Sequence, residues 1–237
     1  MTARAPGPTH SARVGVAVPA AGSGLRMGGV RKAFLELSGQ PTLLRALRPF
    51  LAERRVVAIA VALAPEDASS PPPWLVELAP RVLVVAGGAT RSQSVRAAIA
   101  ALPEDLDVIA VHDAARPLVT PRVVTECIDL ALEGFGAVAG CPAVDTLKRV
   151  DSQGFVLDTP DRARFWQAQT PQVFPAMVLR LAYADARAEG TDDSALVERS
   201  GTGVRVKMVD AGPSNLKVTR PEDVPLAESI LRGRAEP

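Results

Sequence analysis

Apolar, largely β-branched runs alternate with amphipathic helical patterns, and this alternation constrains the fold more than any other feature of the chain. VGVAVP at 14–19, VVAIAVAL at 56–63, RVLVVAGG at 81–88, DVIAVHD at 107–113 and FGAVAGCP at 135–142 read as strands covered on both faces. Between them, LLRALRPFLAE (43–53), RSQSVRAAIAAL (91–102) and PRVVTECIDLALEG (121–134) carry apolar residues at helical spacing. Thr120 before Pro121 is an N-cap followed by proline at the first helical position. Strand–helix–strand repetition implies parallel strands joined by right-handed crossovers. The expected class is therefore α/β, with a doubly wound, mostly parallel twisted sheet of the Rossmann-like kind. Such sheets bind ligands at the carboxyl ends of their strands.

After Cys141 the rhythm changes. TLKRVDSQGFVLDTPDRARFWQAQTPQ alternates short polar pieces around the turn-like DSQG, so an extended hairpin arm is expected over about 143–170. Helical patterns resume near Pro175, VRVKMVD (204–210) reads as a last strand, and Thr219–Arg220–Pro221–Glu222 reads as a capping box before a final helix. ASSPPPW (68–74) reads as a surface loop, because the strand–helix rhythm continues across it. Residues 1–13 are expected to form a disordered tail without a signal peptide, and 14–237 a single domain.

Composition narrows the function. A formal net charge of +1 argues against a strongly basic nucleic-acid binder. The longest apolar run, VVAIAVALA from Val56, is too short to span a bilayer. Cys127 and Cys141 have no metal-ligand spacing and sit among apolar neighbours, which points to buried reduced thiols in a cytoplasmic protein. With His10 in the tail and His112 the only other histidine, chemistry that relies on several histidines is excluded.

The first strand ends in VPAAGSGLRMGGVRK (18–32). The dinucleotide fingerprint would need glycine at Met27, and the Gly-Lys-Ser/Thr of a Walker loop is absent. What remains are small residues, Ala20, Ala21, Gly22 and Gly24, whose N–H groups can approach phosphate oxygens, and the cations Arg26 and Lys32 to neutralise them. A tight strand–helix turn with surface cations explains the same residues. VHDAARP (111–117) ends a strand at Asp113, which can hold a hydroxylated substrate or a magnesium ion, with Arg116 available for a phosphate. Alternatively Asp113 caps the next turn and pairs with Arg116. His112 alternates to the other face and reads as a satisfied core histidine. In GGATRSQSV (87–95), Ser92 and Ser94 at a helix start could bind a nucleobase edge or a phosphate, although N-capping explains Ser92 equally well. Asp192 and Asp193 read as first-turn acids capped by Thr191.

VPAAGSGLRM, VHDAARP, DTLKR, QTPQ, TDDSALVE and NLKVTRPED together resemble the 2-C-methyl-D-erythritol 4-phosphate cytidylyltransferase family, in order from about residue 14 to about residue 232. The opening loop alone is shared with the wider sugar nucleotidyltransferase superfamily. The resemblance implies that a polyol phosphate attacks the α-phosphate of CTP, expelling pyrophosphate with Mg2+ as cofactor. By motif position it implies that Arg26, Lys32 and Lys217 stabilise the transition state. Ala20, Ala21, Gly22, Gly24, Gly87, Ser94, Asp113 and Ala114 would hold CTP. Asp113, Arg116, Thr146, Arg162, Thr170, Thr191 and Lys217 would surround the methylerythritol phosphate. It further implies a homodimer in which each arm reaches the partner's site. The family usually has proline just before the loop-closing lysine, and here Arg31 stands there, a candidate to share the role of Lys32. Two competing readings are a ribitol-5-phosphate cytidylyltransferase and a catalytically silent nucleotide-binding homologue. A phosphate nucleophile is already anionic at neutral pH, so the scarcity of histidine fits catalysis by alignment and charge neutralisation.

Overall fold

The computed structural model describes residues 11–22, 32–185 and 189–235. Most of the expected tail and the loop from residue 23 to 31, with Gly24, Arg26 and Arg31, lie outside it, as does the side chain of Lys32.

The chain opens with β1 (Val14–Pro19), then a small hairpin of β2 (Glu36–Leu37) and β3 (Gln40–Pro41) leading into α1 (Thr42–Ala52). The hairpin turn, Ser38–Gly39, has positive φ at both residues, the handedness that matches the twist of paired strands. β4 (Val56–Leu63) is followed by two short helices, α2 (Pro65–Ser69) and α3 (Pro73–Val76), where a single surface loop was expected. β5 (Val82–Ala86), α4 (Arg91–Ala101), β6 (Val108–Val111), α5 (Pro121–Leu132) and β7 (Gly136–Pro142) complete the predicted alternation. The hairpin β8 (Arg149–Val150) and β9 (Val156–Asp158) interrupts it. β10 (Trp166–Pro175), α6 (Ala176–Ala182), α7 (Asp193–Arg199), β11 (Val206–Asp210) and α8 (Asp223–Ala235) follow.

The central sheet has seven strands in the order β11-β7-β10-β6-β1-β4-β5. All neighbours are parallel except β10, which runs antiparallel to both β6 and β7. Side-chain alternation sorts the two faces. Ile59, Val61 and Leu63 of β4 join Val14, Val16 and Val18 under α1 and α5, where Phe50, Val124 and Ile128 are buried. The opposite face of β4 is Ala58, Ala60 and Ala62, small enough for Val95 and Ala98 of α4 to press close. With few aromatics, the core depends on aliphatic packing around Phe50 and Phe174, both fully buried. Truncating either to alanine costs about 3–5 kcal/mol.

One expectation needs correction. The arm ends near residue 165, and Trp166–Pro175 is a strand inside the sheet. Its polar interior, Gln169, Thr170 and Gln172, hid the strand pattern, yet all three are buried. The ladder to β7 breaks between Ala168 and Gln172, and Pro171 sits in that break, where its missing N–H does no harm. The break brings Thr170 to the carboxyl end of β6. The arm itself stays exposed: Asp151 accepts the N–H groups of Gln153 and Phe155 to close its turn.

The helix starts also refine the sequence reading. Thr120 caps α5 by accepting the Val123 N–H, as expected. α4 is capped by Thr90 in a reciprocal box with Gln93, so Ser92 is not the cap. α7 is capped by Asp192 and not by Thr191. At α8 the Asp223 carboxylate accepts the Thr219 N–H, the Thr219 hydroxyl and the Arg220 N–H; Asp223, not a Thr219–Glu222 box, organises that entry. Cys127 and Cys141 are both buried free thiols, and burial pushes Cys127 up to about 12. Among the described residues no helix is long and apolar enough to cross a membrane.

Candidate active site

A cleft of about 360 Å3 opens at the carboxyl ends of β1, β5 and β6. Its walls are Pro19 to Gly22 after β1, Ala33, Ala89 to Arg91 at the start of α4, Asp113 to Ala115 after β6, and Lys217. The small residues matter because they leave backbone at the surface. The Ala20 N–H is used by the Ala62 carbonyl at 2.8 Å, which anchors the loop to β4. Gly87 is required by proximity, since a Cβ there would lie 2.6 Å from the Ala21 Cβ and 2.9 Å from the Ser94 Oγ. Gly87 therefore lets the β5–α4 turn press against the loop after β1. Ser94 points into that turn: its Oγ accepts the Gly88 N–H at 3.2 Å and donates to the Thr90 carbonyl at 3.0 Å.

The floor of the cleft is a charge cluster centred on Asp113. Lys217 Nζ lies 2.7 Å from Oδ2, Arg91 Nε 3.1 Å from Oδ1, and Arg116 Nε 4.0 Å from Oδ2. Burial alone would raise the Asp113 pKa. The charges of Arg91 and Lys217, with the Lys217 hydrogen bond, outweigh it and hold the carboxyl well below the usual range. Arg91 also grips the two oxygens of Asp193, at 3.1 and 2.7 Å. Both features of the earlier alternatives coexist at Asp113: its carbonyl accepts the Arg116 N–H in a turn, and its carboxylate faces the cleft.

Behind this floor, hydrogen-bond chemistry assigns the His112 tautomer. Nε2 lies 3.1 Å from the Arg116 carbonyl, which can only accept, so Nε2 carries the proton. Nδ1 then accepts the Thr170 hydroxyl proton at 3.1 Å, and the Thr170 oxygen accepts the Asp113 N–H at 3.0 Å. Burial lowers the His112 pKa to about 4, so the ring is neutral and structural. Asn215 closes the back of the site. Its side-chain amide donates to Gln169 and to the Thr170 carbonyl, while its backbone carbonyl accepts Arg116 Nη1 at 2.7 Å.

Among the expected site residues, Ala20, Ala21, Gly22, Asp113, Ala114 and Lys217 share the cleft. Arg116 and Thr170 support it from beneath. Gly87 and Ser94 shape its wall without lining it. Lys32 opens a single 3-10 turn beside it. Thr191 is exposed ahead of α7, and Thr146 and Arg162 lie exposed on the arm, where Arg162 donates to the Val144 carbonyl. Arg91, Tyr183 and Asn215 were not singled out in the sequence, and Asp193 was read only as a first-turn acid. Arg91 did leave a signal, because a cation at the first position of a helix opposes the macrodipole and calls for acidic partners.

The family model for 2-C-methyl-D-erythritol 4-phosphate cytidylyltransferase (IspD) matches residues 14–233. A protein of that name from Synechococcus sp. (strain WH7803) is 43% identical over 92% of this chain and 98% of its own. Another from Symbiobacterium thermophilum is 44% identical over 94% of each chain. The crystal structure of 4-diphosphocytidyl-2C-methyl-D-erythritol synthase from Anaerococcus prevotii superposes with a TM-score of 0.84 at 25% identity, covering 94% of this chain and 97% of that one. The chain belongs to the 2-C-methyl-D-erythritol 4-phosphate cytidylyltransferase family.

Proposed function

We propose that the protein transfers the cytidylyl group of CTP to 2-C-methyl-D-erythritol 4-phosphate, giving 4-diphosphocytidyl-2-C-methyl-D-erythritol and pyrophosphate. The observation that carries this reading is the Asp113–Lys217 pair at the end of β6, in a cleft walled by small residues, within a chain of this family. An oxygen of the polyol phosphate forms the new bond to the α-phosphorus of CTP, and the bond to the bridging oxygen of the β-phosphate breaks. That attacking oxygen is already anionic, so the step needs no general base. The neutral, fully buried His112 is consistent with that. Negative charge grows on the α-phosphate and the departing pyrophosphate, and Lys217 with the cations of the loop after Gly22, Arg26 and Lys32, is placed by motif to offset it. The Asp113 carboxylate accepts hydroxyls of the polyol.

Among the described residues no cluster of three or more His, Cys, Asp or Glu could hold a metal. Asp113 is the one carboxylate among the described residues lining the cleft and is already paired with Arg91 and Lys217, so a magnesium ion would be held chiefly by the triphosphate that carries it, with Asp113 the protein group beside it. The ion would supply neutralisation of phosphate charge. A homodimer completes the reading. Val144, Phe155, Val156 and Leu157 of the arm are 74%, 68%, 59% and 60% exposed, an apolar surface that a second copy would cover. Thr146 and Arg162 then serve the partner's cleft.

The test is pyrophosphate release from CTP and Mg2+ against methylerythritol, ribitol and erythritol phosphates. Methylerythritol 4-phosphate should give the highest kcat/KM. Release with ribitol phosphate alone would reassign the substrate, and CTP binding without release from any of them would defeat the enzyme reading.

A further inference from the structure

Arg91 has a geometry that nothing in the chemistry above requires. It is the first residue of α4, where the positive end of the helix dipole disfavours a cation. Two carboxylates reverse that preference. Arg91 Nη1 and Nη2 bind the two oxygens of Asp193, and Nε turns the other way to Asp113 Oδ1. Asp193 is fully buried at the first position of α7, and it accepts the hydroxyl of Tyr183, the chain's single tyrosine. Burial alone would lower the Arg91 pKa, but Asp193 and Asp113 outweigh it and raise it.

A guanidinium held by both terminal nitrogens on one carboxylate is fixed in its plane, so the direction of Nε is fixed as well. That leaves Asp113 with one oxygen committed to Arg91 and the other facing Lys217 at 2.7 Å. The anchor comes from far along the chain, on a helix that packs against the same face of the sheet as α4. A second tie runs alongside it, from the Thr90 hydroxyl to the Glu189 carboxylate at 2.8 Å.

We propose that Arg91 is a positioning residue for the polyol phosphate: braced by Asp193 and Tyr183, it fixes the plane of the Asp113 carboxylate so that the oxygen shared with Lys217 faces the cleft and the substrate. The inference rests on the function proposed above and sharpens it. Without the Asp193 charge, Asp113 is the remaining carboxylate partner of the Arg91 fork among the described residues. The guanidinium then turns onto both of its oxygens and covers the one the polyol uses. A lysine at 91 keeps the charge but binds as a point, so it cannot hold both carboxylates in one plane.

The experiment measures KM and kcat with each substrate varied, CTP affinity by calorimetry, and melting temperature, for Asp193→Asn, Tyr183→Phe and Arg91→Lys. Asp193→Asn and Arg91→Lys should each raise KM for methylerythritol phosphate about tenfold or more, with CTP affinity within about twofold. Tyr183→Phe should move KM the same way by a few fold. If Asp193→Asn does not fold, Arg91→Lys and Tyr183→Phe decide. Folded variants with wild-type KM, or CTP affinity weakened as much as KM, would overturn the proposal. Absence of pyrophosphate release by the wild type is a separate result, which strikes the functional reading first.

Discussion

The floor of the cleft and the hairpin arm are built on opposite terms. Asp113, His112, Thr170 and Asn215 are buried, and each is tied to residues from distant parts of the chain. Between residues 143 and 165 the arm is held by its own short ladder and by local bonds such as Lys148 to Thr159, while its large apolar side chains face outward. A two-stranded hairpin is marginal by itself in water. The floor therefore gains its geometry from the fold of one chain, whereas in the proposed homodimer the arm would gain its own from a second copy. On that proposal, residues of one chemistry are divided between a preorganised part and a part that a partner completes.

Perturbing each region should give different kinds of loss. Lys217→Ala removes a cation from the cleft and should lower kcat by about two decades, or roughly 3 kcal/mol of transition-state stabilisation, with CTP affinity little changed. A kcat near wild type would mean that Lys217 only pairs with Asp113. Acid should attack the floor as well. The fully buried His112 is neutral in the folded protein, whereas the unfolded chain takes up its proton around 6.5. Stability is thus fully present above pH 6.5 and is lost as pH falls toward about 4, by about 3 kcal/mol in total. Urea midpoints measured from pH 7.5 to 4 should fall across that window, and the fall should shrink in a folded His112→Gln variant. An identical fall in that variant would place the acid sensitivity elsewhere. The smallest effect on folding belongs to the arm. Phe155→Ser with Leu157→Ser should change the stability of the monomeric fold by under about 0.5 kcal/mol while converting dimer to monomer in sedimentation. A large loss of monomer stability would show that the arm packs on its own chain.

The two regions also differ in how far they could be read from sequence. The strands at 14–19 and 56–63 were legible residue by residue, because a strand buried on both faces is one apolar run. β10 was not, because the residues that bend it toward Asp113 are polar and include a proline, which in sequence are the marks of a loop. Asp113 and Lys217 were legible through their motifs, and the structure brings them within 2.7 Å. Asp193 is the first-turn acid the sequence suggested, but its role at the site was missed for a physical reason. An acid in the first turn of a helix has a sufficient local explanation, and its true partner, Arg91, lies 102 residues upstream. The same holds for Asp223, where the cap comes from inside the helix and not from the threonine before it. For the arm, the sequence showed the departure from the sheet's rhythm but not where it ends.

The claim that joins the two regions is that one chain's arm completes the other chain's cleft. It is tested most directly by mixing two inactive proteins, Lys217→Ala and Arg162→Ala, after dissociation and reassociation. With exchanged arms, each mixed dimer holds one site with both defects and one with neither. Random pairing makes about half the dimers mixed, so about a quarter of wild-type pyrophosphate release should return. If verified mixed dimers stay silent, each arm serves its own cleft and the division of the site between two chains is contradicted.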